Sequence, residues 1–573
     1  GAAAGLAAPR TAGRRSRRRR GVTVCGARAG GDPAGPTVIV WHRSDLRVDD
    51  NPALRRAARL VSTGEARGVL PVYVLDPRHF GRTRWGSLKT GPFRAKFLLE
   101  CLEDLQARLR RLGSDLLVAV GETESCLSAL AKRVGAREIL TERHVTDEEL
   151  RMDKRVRSSC KGVGANLQLV WGNSLYHLED LPYSESLQDM PDTFTPFKDA
   201  CEERSVVQNP AAAPGNGALP LPADFGALGD VDTPLQWASL PYESSVDEVQ
   251  VDPSRSAFQV RGGETAAIQR MRSYFWETDT VAKYFNIRNG MLGTEYSTKL
   301  SASLAFGCIS ARRIHAELEK YERERTKNKS TYWVAFELTW RDYFKYFAMK
   351  HGSRIFHAAG VAGRQHNWSQ DETALQRWRD GTTGWPLVDA NMRELQETGW
   401  MSNRGRQNVA SYLALDLGID WRAGADHFES LLVDYDPASN WGNWVAAAGL
   451  TGGRVNKFNI LKQSRDYDKQ GDYVRAWIPE LASLRGKQAH EPWSQSAKLQ
   501  YPERLMAAHV ERPEGGQLEA KSAAVRGRGG HGGSRGGGGG GVRGRLSRGG
   551  TGRSRSGRAR GGPARRAYEA PGP

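Results

Sequence analysis

Two carboxylates stand two residues apart in LLVDYDPASNWGNW (431–444), Asp434 and Asp436, with Asn440 and Trp444 close behind. In an apolar helical setting such carboxylates are costly unless they meet donors, for example a ligand's ring N–H or a ribose hydroxyl. Helix capping is the competing explanation. A second group, GMLGTEYSTKLSASLAFGCIS (290–310), gathers Ser297, Thr298 and Ser301 at a helix start. Small hydroxyls and free N–H groups there suit a pyrophosphate, or simply cap the helix. A third, TVIVWHRSDLRVDDNPAL (37–54), runs an apolar strand into Arg43, Asp45, Arg47, Asp49 and Asp50 before a helix at Asn51-Pro52. It reads either as a ligand loop at the carboxyl edge of a doubly wound sheet or as salt-bridged packing. No Walker A, H-E-x-x-H, G-x-S-x-G or EF-hand pattern occurs, which removes the easily recognised NTPases, zinc proteases, serine hydrolases and calcium sensors. The six cysteines are scattered without C-x-x-C, so neither a disulfide framework nor a metal site is expected.

These residues must be held by two kinds of domain. From 37 the chain alternates strand and helix: TVIVW (37–41), NPALRRAARL, GVLPVYVLD (68–76), RAKFLLECLEDLQARLRRLG, LLVAV (116–120), CLSALAKRVG, EIL (138–140) and LQLVWG (167–172). Strands too apolar to have a wet face, separated by helices, predict a doubly wound parallel sheet, an α/β domain over 37–180. Residues 181–262 lose periodicity and gain Pro, Gly and Ala, so they are expected to form a connector packed by Phe194, Phe197 and Trp237. Residues 263–510 carry helical patterns, including 330–352 and 391–418, each ended by Gly, and predict an all-α domain.

The formal charge of +18 suggests a nucleic-acid binder, but its distribution does not. Residues 1–36 hold eight Arg and one acid, residues 526–573 hold twelve Arg and one acid, and the body between them is neutral. A globally basic surface is excluded. The first segment reads as a transit peptide for chloroplast or mitochondrion. The Gly-rich end, 511–573, is expected to be disordered. No apolar run approaches the roughly 18 residues that cross a bilayer.

The three constellations, in this order on an α/β-then-α chain, resemble the photolyase/cryptochrome flavoprotein family. The strings WRDYF, WMSNRGRQNVASYL, GIDWRAGA and DYDPASNWGNW are most similar to its cryptochrome DASH branch, and the resemblance runs from about 37 to 510. It implies an antenna domain followed by a helical domain holding FAD. By the same matching, Tyr284, Ser297, Thr298, Lys299, Leu300 and Ser301 lie on the FAD phosphate and ribose side, and Asn403, Arg406, Asp434, Asp436 and Asn440 surround the flavin. A neutral amide at Asn440 hydrogen-bonds the flavin N5 but is a poor proton donor, which suits a reduced anionic flavin. Sixteen Trp, nine of them between 333 and 444, also find a use: the resemblance makes Trp444, Trp421 and Trp368 a chain of electron carriers.

For the substrate, the resemblance implies a pyrimidine dimer flipped into a cavity lined by Glu337, Trp340, Arg341, Asn403, Arg404 and Gln407, with Trp340 as a stacking wall. For Glu337 and Arg341 an intrahelical pair is the plain alternative. Gln407 is typical of the DASH branch, whose members prefer dimers in single-stranded DNA. Three residues depart from the family: Trp441 for Tyr, Ala446 for an aromatic of the dimer wall, and His42 in WHR. A 5,10-methenyltetrahydrofolate antenna is implied near Glu100, although a surface Glu on an amphipathic helix explains that residue equally well. The expected function is light-driven repair of cyclobutane pyrimidine dimers, chiefly in single-stranded DNA, by a lyase that acts as a monomer without metal or membrane. The alternatives are a blue-light receptor using the same FAD and Trp chain, and an RNA- or single-strand-binding protein acting through its Arg-Gly tail.

Overall fold

The computed structural model describes residues 36–229, 235–258, 261–453, 455–495 and 499–505. The expected transit segment and Arg/Gly tail lie outside these described residues.

Five strands form one parallel sheet: β1 (Thr37–His42), β2 (Gly68–Leu75), β3 (Leu117–Val120), β4 (Ala136–Glu142) and β5 (Asn166–Val170). Their order is β3-β2-β1-β4-β5, the doubly wound arrangement expected, with Thr37 opposite Gly68 and Val38 opposite Glu138 across the central strand. The crossovers carry α1 (Pro52–Ser62), α2 (Pro92–Arg111), α3 (Thr123–Val134) and α4 (Asp147–Lys161). Strand alternation sorts the core. Val38 and Val40 face the cluster built with α1 and α2, which continues into the helical half, whereas Ile39 and Trp41 face the separate cluster built with α3 and α4.

The connector is more structured than its composition suggests, because Phe194, Phe197 and Cys201 form the buried stripe of α5 (Phe194–Arg204). Beyond it come α6 (Glu264–Arg272), α7 (Tyr284–Ile287), α8 (Ser301–Ala305), α9 (Ala311–Glu324), α10 (Lys329–His351), α11 (Glu372–Arg379), α12 (Pro386–Thr398), α13 (Asn403–Ser411), α14 (Trp421–Leu431), α15 (Pro437–Ala447), α16 (Ile460–Tyr467), α17 (Asp472–Trp477) and α18 (Lys487–His490). No strand occurs among the described residues after β5. The single helix expected over 391–418 is in fact two. Gly399 ends α12 in the left-handed region (φ 68°), and Ser402 restarts the chain by capping the Gly405 amide at 3.0 Å.

The charged loop after β1 binds the two halves together. Asp50 takes a two-point contact from Arg312 (2.9 and 3.0 Å), Asp49 one from Arg313 (2.6 and 2.8 Å), and Glu264 accepts the amides of Val48 (2.8 Å) and Asp49 (3.2 Å). Arg47 donates to the Gly307 carbonyl at 2.9 Å. For these residues the packing explanation holds. Arg43 and His42 instead line a cleft between the halves. No helix among the described residues is long and apolar enough to cross a membrane.

Candidate functional site

Helix α10 starts on a capping box, the Asn328 side chain accepting the amides of Ser330 and Thr331 while Thr331 accepts the Asn328 amide. That start sets the phase of the helix and places Trp340 and Arg341 one turn beyond Glu337. The Tyr284 hydroxyl donates to Glu337 Oε2. Burial pushes the Glu337 carboxyl up to about 7, with Tyr284 and Arg288 opposing. Tyr284 is therefore committed to Glu337, not left free for a phosphate. Arg341 does not pair with Glu337; it donates to the carbonyls of Asn173 (2.9 Å) and Leu304 (3.2 Å), so it ties α10 to the sheet half instead of reaching a substrate cavity. One face of the half-buried Trp340 is covered by Phe194 from α5, with ring centroids 3.6 Å apart and planes 8° from parallel.

The segment before α8 is held by a residue the sequence did not single out. Arg270 on α6 donates to the carbonyls of Ser297 (3.0 Å), Thr298 (3.0 Å) and Thr294 (3.3 Å) and pairs with Glu295 at 2.8 Å. The hydroxyls of Ser301 and Ser303 are buried without a partner, the condition of a site waiting for an acceptor or donor. Lys299, at φ 58°, turns its side chain inward, its Nζ 3.3 Å from the centre of the Tyr296 ring and 4.7 Å from that of Trp400. Its Nζ has no hydrogen-bond partner, and burial pushes the amine well below its usual range; Leu300 beside it is buried.

Trp400 links that loop to the flavin side, since the Arg406 guanidinium lies 5.6 Å from its ring. Arg406 Nη2 grips both oxygens of Asp434 at 3.0 and 2.9 Å. Asp436 caps α15 through the Ser439 amide at 2.7 Å, so the capping explanation holds for Asp436, while Asp434 meets its donor in Arg406. Asn440, one turn into α15, donates its amide to the Ala425 carbonyl at 3.0 Å, which orients its own carbonyl oxygen as an acceptor. Residues 28 positions apart thus form one cradle. The orphaned serine hydroxyls, the Arg406–Asp434 pair and the oriented Asn440 fit a bound FAD.

At the mouth, Asn403 is exposed, and Arg404 donates to Asn289 at 3.0 Å with its guanidinium 4.5 Å from the Tyr467 ring. Gln407 Oε1 is buried without a partner. Ala446 is half-buried on α15 and brings no ring.

The three tryptophans expected as electron carriers occupy α14, α15 and the loop before α11. Trp444 packs between Phe428 (5.1 Å) and Trp378 (6.1 Å), and a Cβ on Gly424 would come within 2.3 Å of its ring, so glycine is what admits Trp444 to α14 one turn from Trp421. Trp421 is fully buried and meets the Trp441 ring at 5.8 Å. Trp368 is half-buried and stacks on His366 at 4.9 Å. Trp378 and Trp441 add two rings that the motifs did not place in this group. Glu100 sits apart on α2, accepting the Gly262 amide at 2.7 Å, and does not line the cleft between the halves.

A doubly wound sheet domain bolted to an all-helical domain with this cradle is the photolyase architecture. The DNA photolyase family model matches residues 38–215, and the FAD binding domain of DNA photolyase matches residues 333–515. Among relatives, "Cryptochrome DASH, chloroplastic/mitochondrial" of Ostreococcus tauri is 48% identical over 474 residues, covering 79% of this chain and 86% of that protein. Cryptochrome DASH of Gloeobacter violaceus is 46% identical, covering 80% and 88%. The solved Synechocystis cryptochrome superposes with a TM-score of 0.76 at 41% identity over 83% of this chain and 97% of that one. A class III photolyase of Agrobacterium tumefaciens gives a TM-score of 0.66 at 26% identity over 83% and 95%. The chain belongs to the photolyase/cryptochrome family, in its cryptochrome DASH branch.

Proposed function

We propose that this chain is a light-driven lyase that splits cyclobutane pyrimidine dimers, preferentially in single-stranded DNA. Bound FAD, in its reduced form, supplies light absorption and a one-electron donor. The chain's own residues do the rest. Ser297, Thr298, Leu300 and Ser301 hold the phosphate and ribose side, Arg406, Asp434 and Asp436 fix the flavin side, and Asn440 accepts at N5 without offering an acidic proton. Trp444, Trp421 and Trp368 carry electrons inward from the surface.

The observation that carries the repair reading is the half-buried Glu337 carboxyl, pushed up to about 7 by burial and held by the Tyr284 hydroxyl; on α13 the Gln407 Oε1 is buried without a partner. Below pH 7 a protonated Glu337 donates to a pyrimidine carbonyl, and Gln407 answers the ring N–H and carbonyl edge. Trp340 offers its remaining face. Arg404 and Asn403 hold the flanking strand. A wall without an aromatic at Ala446 grips weakly, and a single strand makes that tolerable because no partner strand must be left. Illuminating the reduced, FAD-loaded protein with a dimer-bearing single-stranded oligonucleotide tests the reading. Restored pyrimidines support it, and an unrepaired oligonucleotide refutes it.

A receptor role is the second reading, favoured by the buried Trp444 and Trp421 together with the alanine at 446. The proposal also includes a 5,10-methenyltetrahydrofolate antenna at Glu100, an organellar address in residues 1–36, and single-strand binding by the Arg/Gly tail. The salt dependence of binding with and without residues 526–573 tests the last of these.

A further inference from the structure

A line of polar and aromatic side chains that does not include Trp368 leaves the buried Trp421. The Trp441 ring lies 5.8 Å from that of Trp421 at 75°, and its Nε1–H donates to the Tyr435 hydroxyl oxygen at 3.3 Å. The Tyr435 hydroxyl donates in turn to Glu429 Oε2 at 2.9 Å. Tyr435 and Glu429 line the solvent-open cleft between the two halves, together with Lys89, Arg94, His79 and Glu149. The line therefore runs from a fully buried indole to a solvent-reached surface through two contacts and one carboxylate.

We propose that Trp441, Tyr435 and Glu429 form a second electron-supply branch that feeds Trp421 from the interdomain cleft, with Tyr435 as its terminal donor and Glu429 as the acceptor of the phenolic proton. The proposal rests on the flavin-photochemistry reading, which supplies the oxidised tryptophan. Trp421, once oxidised by one electron, takes an electron from Trp441, and Trp441 takes one from Tyr435. As Tyr435 gives up that electron its O–H bond breaks and the proton passes to Glu429, leaving a neutral tyrosyl radical and a carboxylic acid. A soluble thiol entering the cleft restores Tyr435 by hydrogen-atom transfer, the S–H bond breaking as the O–H bond forms. Glu429 releases its proton to water, and two thiyl radicals combine to a disulfide.

Three features of the cluster favour proton loss along with the electron. The Arg94 guanidinium lies 4.6 Å from the centre of the Tyr435 ring, so a positively charged tyrosine radical would be repelled, whereas a neutral one is not. Arg94 also donates to the Glu429 carbonyl at 2.6 Å, holding the acceptor's helix against the donor. Burial pushes the Glu429 carboxyl up to about 7, near enough to neutrality to take a proton and return it; Arg94, Tyr435 and Lys89 pull it down and Asp426 pushes it up. A carboxyl already protonated cannot accept, so the tyrosyl yield rises as pH increases through about 7.

The test is electron paramagnetic resonance of the FAD-loaded full chain, frozen under blue light, with ring-deuterated tyrosine to identify tyrosyl signals and flavin photoreduction followed separately by absorption. The branch predicts a tyrosyl signal that disappears in Tyr435→Phe, drops by at least about five-fold in Trp441→Phe, and loses its rise with pH in Glu429→Gln. Trp441→Tyr, which keeps a redox-active ring and most of the volume of the site, retains the signal and guards against a folding artefact. Photoreduction without a tyrosyl signal, or a signal indifferent to Tyr435→Phe, overturns the branch alone. Absence of any photoreduction overturns the underlying flavin reading with it. A cluster that merely bolts the halves together would change thermal stability in these variants and leave the radical spectrum untouched.

Discussion

The proposed flavin cradle and the proposed lesion wall share α13 and α15 yet differ in completeness. On the proposed flavin side most polar and aromatic groups are already paired or packed, with Arg406 gripping Asp434, Asp436 capping α15, Asn440 oriented by Ala425 and Trp444 admitted by Gly424, while the Ser301 and Ser303 hydroxyls stay open. On the lesion side Gln407 has an unpartnered oxygen, one face of Trp340 is spent on Phe194, Arg341 is spent on Asn173 and Leu304, and Ala446 offers no ring. Under the proposed function, electron handling and substrate grip are therefore separable in this chain. The first is fixed by paired groups, and the second rests on Glu337 and Gln407.

Breaking the complete side gives the largest effect. Asp434→Ala leaves the partly exposed Arg406 without its carboxylate and with only the Met401 carbonyl, and FAD retained through gel filtration falls by about ten-fold or more. Next comes Trp444→Phe, which replaces the oxidisable indole beside Gly424 with a phenyl ring and lowers the initial rate of flavin photoreduction by about ten-fold or more. Sharpening the incomplete side works in the opposite direction. Ala446→Tyr supplies a stacking ring worth about 1–3 kcal/mol, so a dimer-bearing oligonucleotide binds about five- to a hundred-fold more tightly by fluorescence titration. The smallest effect is a pH profile. Glu337 is raised to about 7, so its donating, protonated form prevails below that value; dimer affinity falls by about three-fold as pH rises through 7, and Glu337→Gln flattens the curve.

Much of the fold was legible because its signals are local. The sheet follows from apolar runs that tolerate no wet face, and α10 from an uninterrupted pattern between Asn328 and Gly352. The polar helix α4 escaped notice because only Met152, Val156 and Cys160, four apart, mark its buried side, with the buried Asp153 breaking the apolar pattern. The break between α12 and α13 escaped because Gly399 sits inside an otherwise continuous helical pattern without proline. The motifs carried the cradle residues by name, but not their pairings. Nothing in the sequence says that Asp434 belongs to Arg406 or Glu337 to Tyr284. Arg270 was invisible because its partners are backbone carbonyls, which every residue possesses. Tyr435 lay in full view inside DYDP, yet its link to Trp441 and Glu429 depends on α14 and α15 packing side by side.

Repair per absorbed photon, measured on single-stranded oligonucleotide concentrations spanning saturation, separates the two regions in one experiment. Reduced, FAD-loaded protein is expected to repair efficiently once the dimer is bound, with a high half-saturation concentration that Ala446→Tyr lowers without raising the plateau. Tight binding with no repair at saturation would contradict a complete flavin cradle paired with a weak lesion wall.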